Sequence, residues 1–130
     1  MPDWPAAIAD GLRGVVDYLV ENPASAHLTI VDTFAASPGT IESREELLAA
    51  FATYFEPGYD LAPEGVEVPR ITAEACVGGV WQVLHHYIQS GRSEELRAAA
   101  PQLTFMLLTP FLGPERALAA AWGDEPRPDA

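Results

Sequence analysis

The fold of this chain is decided by residues 69–113, which read PRITAEACVGGVWQVLHHYIQSGRSEELRAAAPQLTFMLLTPFLG. Two apolar segments, 70–89 and 101–113, stand on either side of a short polar turn at 93–97. Each segment is apolar on more faces than a small domain can bury by itself. We therefore expect two long helices, and we expect part of their surface to meet a second copy of the chain.

Apolar residues in the segment 70–89 fall into two stripes at helical spacing. Together the stripes cover more than half of the helix circumference, which predicts a helix buried on two sides. Gly78 and Gly79 lie in its middle and lower helix stability by about 1 kcal/mol each relative to Ala. We expect another helix to approach closely at this point. One stripe consists of Val77, Trp81, Leu84 and Ile88, and the other of Cys76, Val80, Val83 and Tyr87.

Proline, glycine and capping residues divide the rest of the chain. Pro101 is expected in the first turn of the helix 101–113, which Pro110 and Gly113 end. The β-branched residues of the segment 23–36 also allow a strand, but its alanines and the lack of a partner strand favour a helix. The other expected helices cover 3–21, 43–56 (or from about Pro38) and 114–122, with a loop over 57–69.

These elements predict an all-α fold, a single-domain helical bundle of five main helices plus a short terminal helix. The domain is expected over residues 1–122, and residues 123–130 are expected to form a disordered tail. The pattern of two long apolar helices near the end favours dimerisation through the last two long helices. Gly11 and Gly14 in the first helix also suggest a neighbouring helix nearby.

The charge balance limits the partners of the chain. It has 19 acidic residues against 7 basic ones, all of them Arg, and a net charge of −12. Such a charge repels phosphate backbones, so we expect no nucleic acid binding by these residues themselves. The sequence shows no secretory signal and no stretch of about 20 apolar residues that could span a membrane. We expect a cytoplasmic protein without a membrane partner.

Catalytic and metal-binding motifs are not evident in the sequence. His85 and His86 are adjacent, about 100° apart on a helix, and this spacing does not form a one-face metal pair. No Gly-rich phosphate loop or Gly-x-Ser-x-Gly turn occurs. Cys76 lies among apolar residues, which favours a buried small side chain over a reactive thiol. We expect no metal, no cofactor and no enzymatic activity.

The order of apolar positions and helix breaks resembles one known family over residues 3–118. The segments that show this resemblance are 75–81 (ACVGGVW), 90–92, 101–104 and 109–114, with 3–5, 12–13, 17–19 and 22–23 near the start. They are similar to the carboxy-terminal domain of tetracycline-repressor-like (TetR-family) transcriptional regulators. The resemblance includes no catalytic signature.

The resemblance implies a small-molecule-sensing and homodimerisation domain of a transcriptional repressor. Members of the family place a helix-turn-helix unit before this domain, and the last two long helices of each subunit form a four-helix dimer bundle. The unit is absent from the sequence. We therefore expect the chain to be either a piece of a longer protein or a naturally headless sensor. Contact with DNA would be made only through such a helix-turn-helix unit.

The resemblance also implies where an effector and a second subunit bind. The effector is expected to be small and apolar or aromatic. Aromatic residues at helical spacing fit a plain core as well as a pocket, and both interpretations stay open. The expected ligand-binding residues are Tyr18, Phe34, Phe51, Phe55 and Trp81, and the expected dimer interface consists of Val77, Gly78, Leu84, Ile88, Leu103, Leu107 and Phe111. A helical interaction module without a ligand and a small helical enzyme acting on a hydrophobic substrate are the alternatives.

Overall fold

The computed structural model describes residues 3–28 and 40–123. Within these ranges the chain forms a single helical domain without strands, so the predicted all-α fold is confirmed. Residues 29–36 of the predicted helix 23–36 and residues 124–130 of the predicted disordered tail 123–130 lie outside the described residues. The helices are α1 (Trp4–Glu21), α2 (Pro23–Ala26), α3 (Thr40–Ala52), α4 (Glu56–Leu61), α5 (Thr72–Gln89), α6 (Leu96–Leu112) and α7 (Pro114–Trp122), with 3₁₀ turns at Thr53–Phe55 and Ser93–Glu95.

Helices α1, α5 and α7 begin and end within two residues of the predicted positions. Pro5 and Pro114 lie in the first turns of α1 and α7, where a missing N–H group costs no internal hydrogen bond. Gly113 separates α6 from α7 with a φ of 85°, a left-handed conformation that glycine adopts without steric cost. Prolines, glycines and apolar spacing within each segment therefore determine where these three helices begin and end.

Helix α6 is the central element of the domain, because it contacts α1, α4, α5 and α7. Burying one Leu or Phe side chain contributes about 1.5–3 kcal/mol. The buried Thr104 donates its hydroxyl proton to the Ala100 carbonyl at 3.0 Å, so its polar group is satisfied. The core therefore forms around this helix. Its buried residues are Leu96, Ala100, Leu103, Thr104, Leu107, Leu108, Phe111 and Leu112.

Helix α6 begins at Leu96, so the prediction that Pro101 opens it was wrong. Both Pro101 and Pro110 lie inside the helix, where each removes one backbone hydrogen bond. Leu96 is fully buried and Ala100 nearly so. The extra helical turn places these two side chains in the core, and their burial offsets the local cost of the proline.

Residues 57–61 are helical, which corrects the predicted loop over 57–69. Pro57 falls in the first turn of α4, and the irregular segment begins only at Ala62. A Cβ atom at Gly58 would lie 2.5 Å from Trp4 Cη2 and 2.9 Å from Phe111 Cδ1. Glycine is therefore required here, because only a residue without a side chain lets α4 pack this closely onto the core.

Helix α5 is buried along both predicted stripes. Val83 and Tyr87 are half-buried against the core, and the other members are buried. The glycines do not show the close helix packing that was expected of them. A Cβ atom at Gly78, Gly11 or Gly14 would meet no atom within 4 Å in the described part of the chain. The expected close helix contact at these positions is thus not made within those residues.

Candidate interaction face and groove

The predicted ligand-binding residues lie in two different environments. Phe55 and Trp81 are buried and belong to the same hydrophobic core. Tyr18 and Phe51 are 55% and 42% exposed, and Phe34 lies outside the described residues. The structure thus brings Phe55 and Trp81 into one core and leaves the rings of Tyr18 and Phe51 partly open to solvent.

Phe55 forms part of an aromatic cluster around Phe111. The Phe55 and Phe111 rings stack at 5.8 Å between centroids, and Trp4 meets both rings edge-on. Tyr59 packs edge-on against Phe111 from another side, with the centroids 5.1 Å apart. Sequence reasoning missed Trp4 and Tyr59 as members of this cluster. The indole N–H of Trp4 donates to the Tyr54 carbonyl at 2.8 Å, which joins α1 to the turn before α4.

The predicted dimer-interface residues contribute to the core of the single chain. Val77, Leu84, Ile88, Leu103, Leu107 and Phe111 are each at most 9% exposed. Leu103, Leu107 and Phe111 belong to α6, which packs on four neighbouring helices, and the other three belong to α5, which packs on α3 and α6. Gly78 is the half-buried exception. The surface of α5 and α6 is therefore formed mainly by the exposed side chains next to these residues.

Apart from Glu74 in the first turn of α5 and Arg97 in the first turn of α6, the outward sides of these two helices carry no formal charge. No Asp, Glu or Arg occurs over residues 75–91 or over residues 98–114, although the chain contains 19 acidic residues. A Cβ atom added at Gly79 would lie 3.9 Å from the Met106 methyl group, so α5 and α6 lie close together at one end of this surface. We call this surface the neutral face, and its members are Gly78, Gly79, Gln82 and His86 of α5 with Gln102 and Met106 of α6.

A groove of about 440 Å³ runs between the two helices at the other end of the neutral face. This volume lies in the range of small-molecule sites, about 300–1,000 Å³. The small side chain of Ala99 stands on the α6 side, opposite the longer polar side chains of α5. The lining residues are Gln82, Val83, His86 and Tyr87 from α5 and Ala99, Gln102 and Leu103 from α6.

The polar groups of the groove are available to a ligand. The side chains of Gln82, Gln102 and His86 form no hydrogen bond with another residue in the described ranges. The ring of Tyr87 is held in place by the His86 ring at 5.9 Å and by the Arg92 guanidinium, 4.6 Å from its centroid. The groove therefore combines one aromatic ring, packed against His86 and Arg92, with the two unpaired amides of Gln82 and Gln102.

Metal-binding and nucleophilic groups do not gather in the part of the chain that the structure describes. No group of three or more His, Cys, Asp and Glu residues there could hold a metal ion. Cys76 is buried, and burial raises the pKa of its thiol above the ordinary value of 9.0. Since the thiolate is the reactive form, this environment disfavours a nucleophilic role.

Comparison of the chain with protein-family models, with curated proteins and with solved structures gives no match. The resemblance to the TetR family therefore stays a prediction. Among the described residues, no helix is both long and apolar enough to cross a membrane.

Proposed function

We propose that this chain is the small-molecule-sensing and homodimerisation domain of a TetR-like transcriptional repressor. The observation that carries the proposal is the neutral face of α5 and α6 in a chain with a net charge of −12. The sequence resemblance supplies the repressor context. The neutral face supplies a surface on which two copies can pair.

Charge is the main argument for pairing at this face. Two copies of so acidic a chain repel each other, and salt screens that repulsion only beyond about 8–10 Å. A pairing surface must therefore avoid placing one carboxylate against another. Helix α1 carries the exposed carboxylates Asp10 and Glu21, and α7 carries Glu115. The neutral face offers the second copy no such group.

The shape of the neutral face also suits a second helix pair. Helix α5 has 18 residues and spans about 27 Å. It is joined to α6 by the short turn at Ser93–Glu95, so the two helices form a hairpin. The open position at Gly78 would let a partner helix approach without displacing a side chain. Two such hairpins, packed face to face, would make a four-helix bundle.

The proposed effector is a small apolar or aromatic molecule. The exposed rings of Tyr18 and Phe51 support this class, because they can add contact area to a ligand at little cost. Helix α5 contacts both α3 and α6, so a ligand near Phe51 would lie one helix away from the neutral face. The effector would act by binding one arrangement of these helices more tightly than another. Contact with DNA would belong to a helix-turn-helix unit outside these residues.

Sedimentation velocity tests the pairing surface. Gly78→Glu adds a carboxylate to the neutral face, and Gly11→Glu makes the same substitution in the middle of α1, where a Cβ atom is equally unobstructed. We expect the unmodified chain and Gly11→Glu to sediment as dimers and Gly78→Glu to sediment as a monomer. A monomeric unmodified chain, or a dimeric Gly78→Glu variant, would contradict the proposal.

A neutral apolar dye tests the effector site. We expect Nile red to increase in fluorescence on binding, and we expect Phe51→Ala to weaken that binding. Ile71→Ala is the matched control, because Ile71 is also a large exposed apolar residue but is not in the predicted ligand-binding set. Equal losses in the two variants, or no dye binding at all, would favour the interaction module without a ligand.

A further inference from the structure

We propose that the groove between α5 and α6 is a binding site for a neutral, planar molecule with an amide-like pair of donor and acceptor groups. This site is separate from the predicted effector residues on α1 and α3. All of its lining residues come from one chain, so the site is complete in a single copy. Pairing through the neutral face would cover it, because Gln82, His86 and Gln102 belong to both surfaces. The site goes beyond the function proposed above.

The lining residues limit the charge of the ligand. None of them is Asp, Glu, Lys or Arg. The nearby Arg92 guanidinium, which lies over the Tyr87 ring, is already paired with the Glu95 carboxylate at 3.7 Å, and the net charge of −12 would repel a carboxylate ligand. The net charge would attract a cationic ligand, but that ligand would lose water of hydration without gaining a carboxylate partner in the lining. A neutral ligand avoids both costs.

The polar side chains indicate which groups the ligand carries. Gln82 projects from α5 and Gln102 from α6, so the two amides lie on opposite sides of the groove. Each amide offers two N–H donors and one carbonyl acceptor. With no partner in the described part of the chain, both can bind a ligand that presents a donor and an acceptor together.

The apolar residues indicate the shape of the ligand. Leu103 is buried and Val83 half-buried, so they form an apolar floor. The ring of Tyr87, fixed by Arg92, adds an aromatic surface. Flat rings make favourable contacts with such surfaces. The volume of about 440 Å³ accommodates a molecule of one or two rings.

Nuclear magnetic resonance titration with three matched probes tests the site. Benzamide is neutral, benzoate is its anionic counterpart and benzylamine its cationic one. We expect benzamide to shift the side-chain amide signals of Gln82 and Gln102 and the ring signals of His86. Benzoate and benzylamine should shift them far less at equal concentration.

Two variants test the role of the amides. Gln82→Leu and Gln102→Leu should each weaken benzamide binding about fivefold, the effect of one lost neutral hydrogen bond. Gln89→Leu is the control, because Gln89 lies on α5 outside the groove lining. The titration is repeated on Gly78→Glu, which adds a charge to the neutral face but leaves the lining intact.

The outcomes separate this site from the pairing proposal. Changes in the chemical shifts of the groove residues when benzamide is added to Gly78→Glu support the site, whether or not the unmodified chain is a dimer. Shifts of equal size with all three probes would overturn it, as would the absence of groove shifts in both proteins. Sedimentation of the unmodified chain decides pairing independently of either result.

Discussion

The indole ring of Trp4 packs edge-on against the ring of Phe111, with the two centroids 5.6 Å apart, and both rings lie over Gly58. Three distant parts of the sequence meet at this point, since the residues belong to α1, α6 and α4. The contact fixes the start of the chain onto the central helix.

A methyl group at Gly58 should destabilise the fold. The Cβ atom would lie 2.5 Å from Trp4 Cη2 and 2.9 Å from Phe111 Cδ1, so at least one ring must move. Overpacking of this kind costs about 1–3 kcal/mol. We expect Gly58→Ala to lower the free energy of unfolding by this amount in urea titrations followed by circular dichroism.

Gly11→Ala is the control for that measurement. It makes the same substitution in another helix, at a position with no atom of the described residues within 4 Å. Helix propensity then favours Ala by up to about 1 kcal/mol. If both variants lose similar stability, the contact at Gly58 is not tight.

Much of the helical framework could be predicted from local signals. The bounds of α1, α5 and α7 follow from apolar spacing, first-turn prolines and glycine breaks that lie within each segment. The early start of α6 and the existence of α4 could not be predicted from local signals. They depend on the burial of Leu96 and on the fit of Gly58 against Trp4, and both are contacts between residues far apart in sequence.

The residues that α5 and α6 leave on the surface were harder to predict than the helices themselves. An apolar stripe predicts that a residue is buried, but it does not indicate whether the same chain or a second copy buries it. Leu107 and Phe111 illustrate the difficulty, because α6 uses them for its own core. The groove could not be predicted either, since it depends on which residues of α5 and α6 stand opposite each other.

Arg97 should stabilise the fold through its bridge between helices. Its guanidinium lies on α6 and pairs with Asp17 and Glu21 of α1, each at 3.2 Å. These groups are about half exposed, so solvent screens the pairs. We expect Arg97→Gln to lower the free energy of unfolding by about 0.5–1 kcal/mol at low salt, and by less at high salt.

Arg13→Gln provides the comparison for Arg97→Gln. Arg13 pairs with Asp10 at 3.3 Å within α1, so its loss removes the same charge without separating two helices. A smaller loss for Arg13→Gln than for Arg97→Gln is expected in the same urea titrations. Equal losses would show that net charge, and not the bridge, accounts for the effect.

Cys76 should react slowly and should make the fold sensitive to alkaline pH. Burial raises the pKa of its thiol above 9.0, so the folded state holds the proton more tightly than the unfolded state. The stability that this provides is complete below the unfolded pKa and is lost as the pH rises through the folded pKa. We expect slow labelling by iodoacetamide in buffer and fast labelling in urea.

The alkaline effect is tested with Cys76→Ala. The free energy of unfolding of the unmodified chain should fall more steeply than that of the variant as the pH is raised above about 9. The slopes are compared, because the variant also loses packing that does not depend on pH. Parallel curves, or fast labelling in buffer, would mean that the thiol is accessible.

Pairing through the neutral face should strengthen as salt is added. The face itself contributes no ion pair, since residues 75–91 and 98–114 contain no Asp, Glu or Arg. The remaining electrostatic contribution is repulsion between two chains of charge −12, which salt screens. Sedimentation equilibrium over a range of sodium chloride concentrations should therefore give a falling dimer dissociation constant. A dimer that instead weakens with salt would be held by ion pairs, and its contact surface would have to lie among the charged residues of other helices.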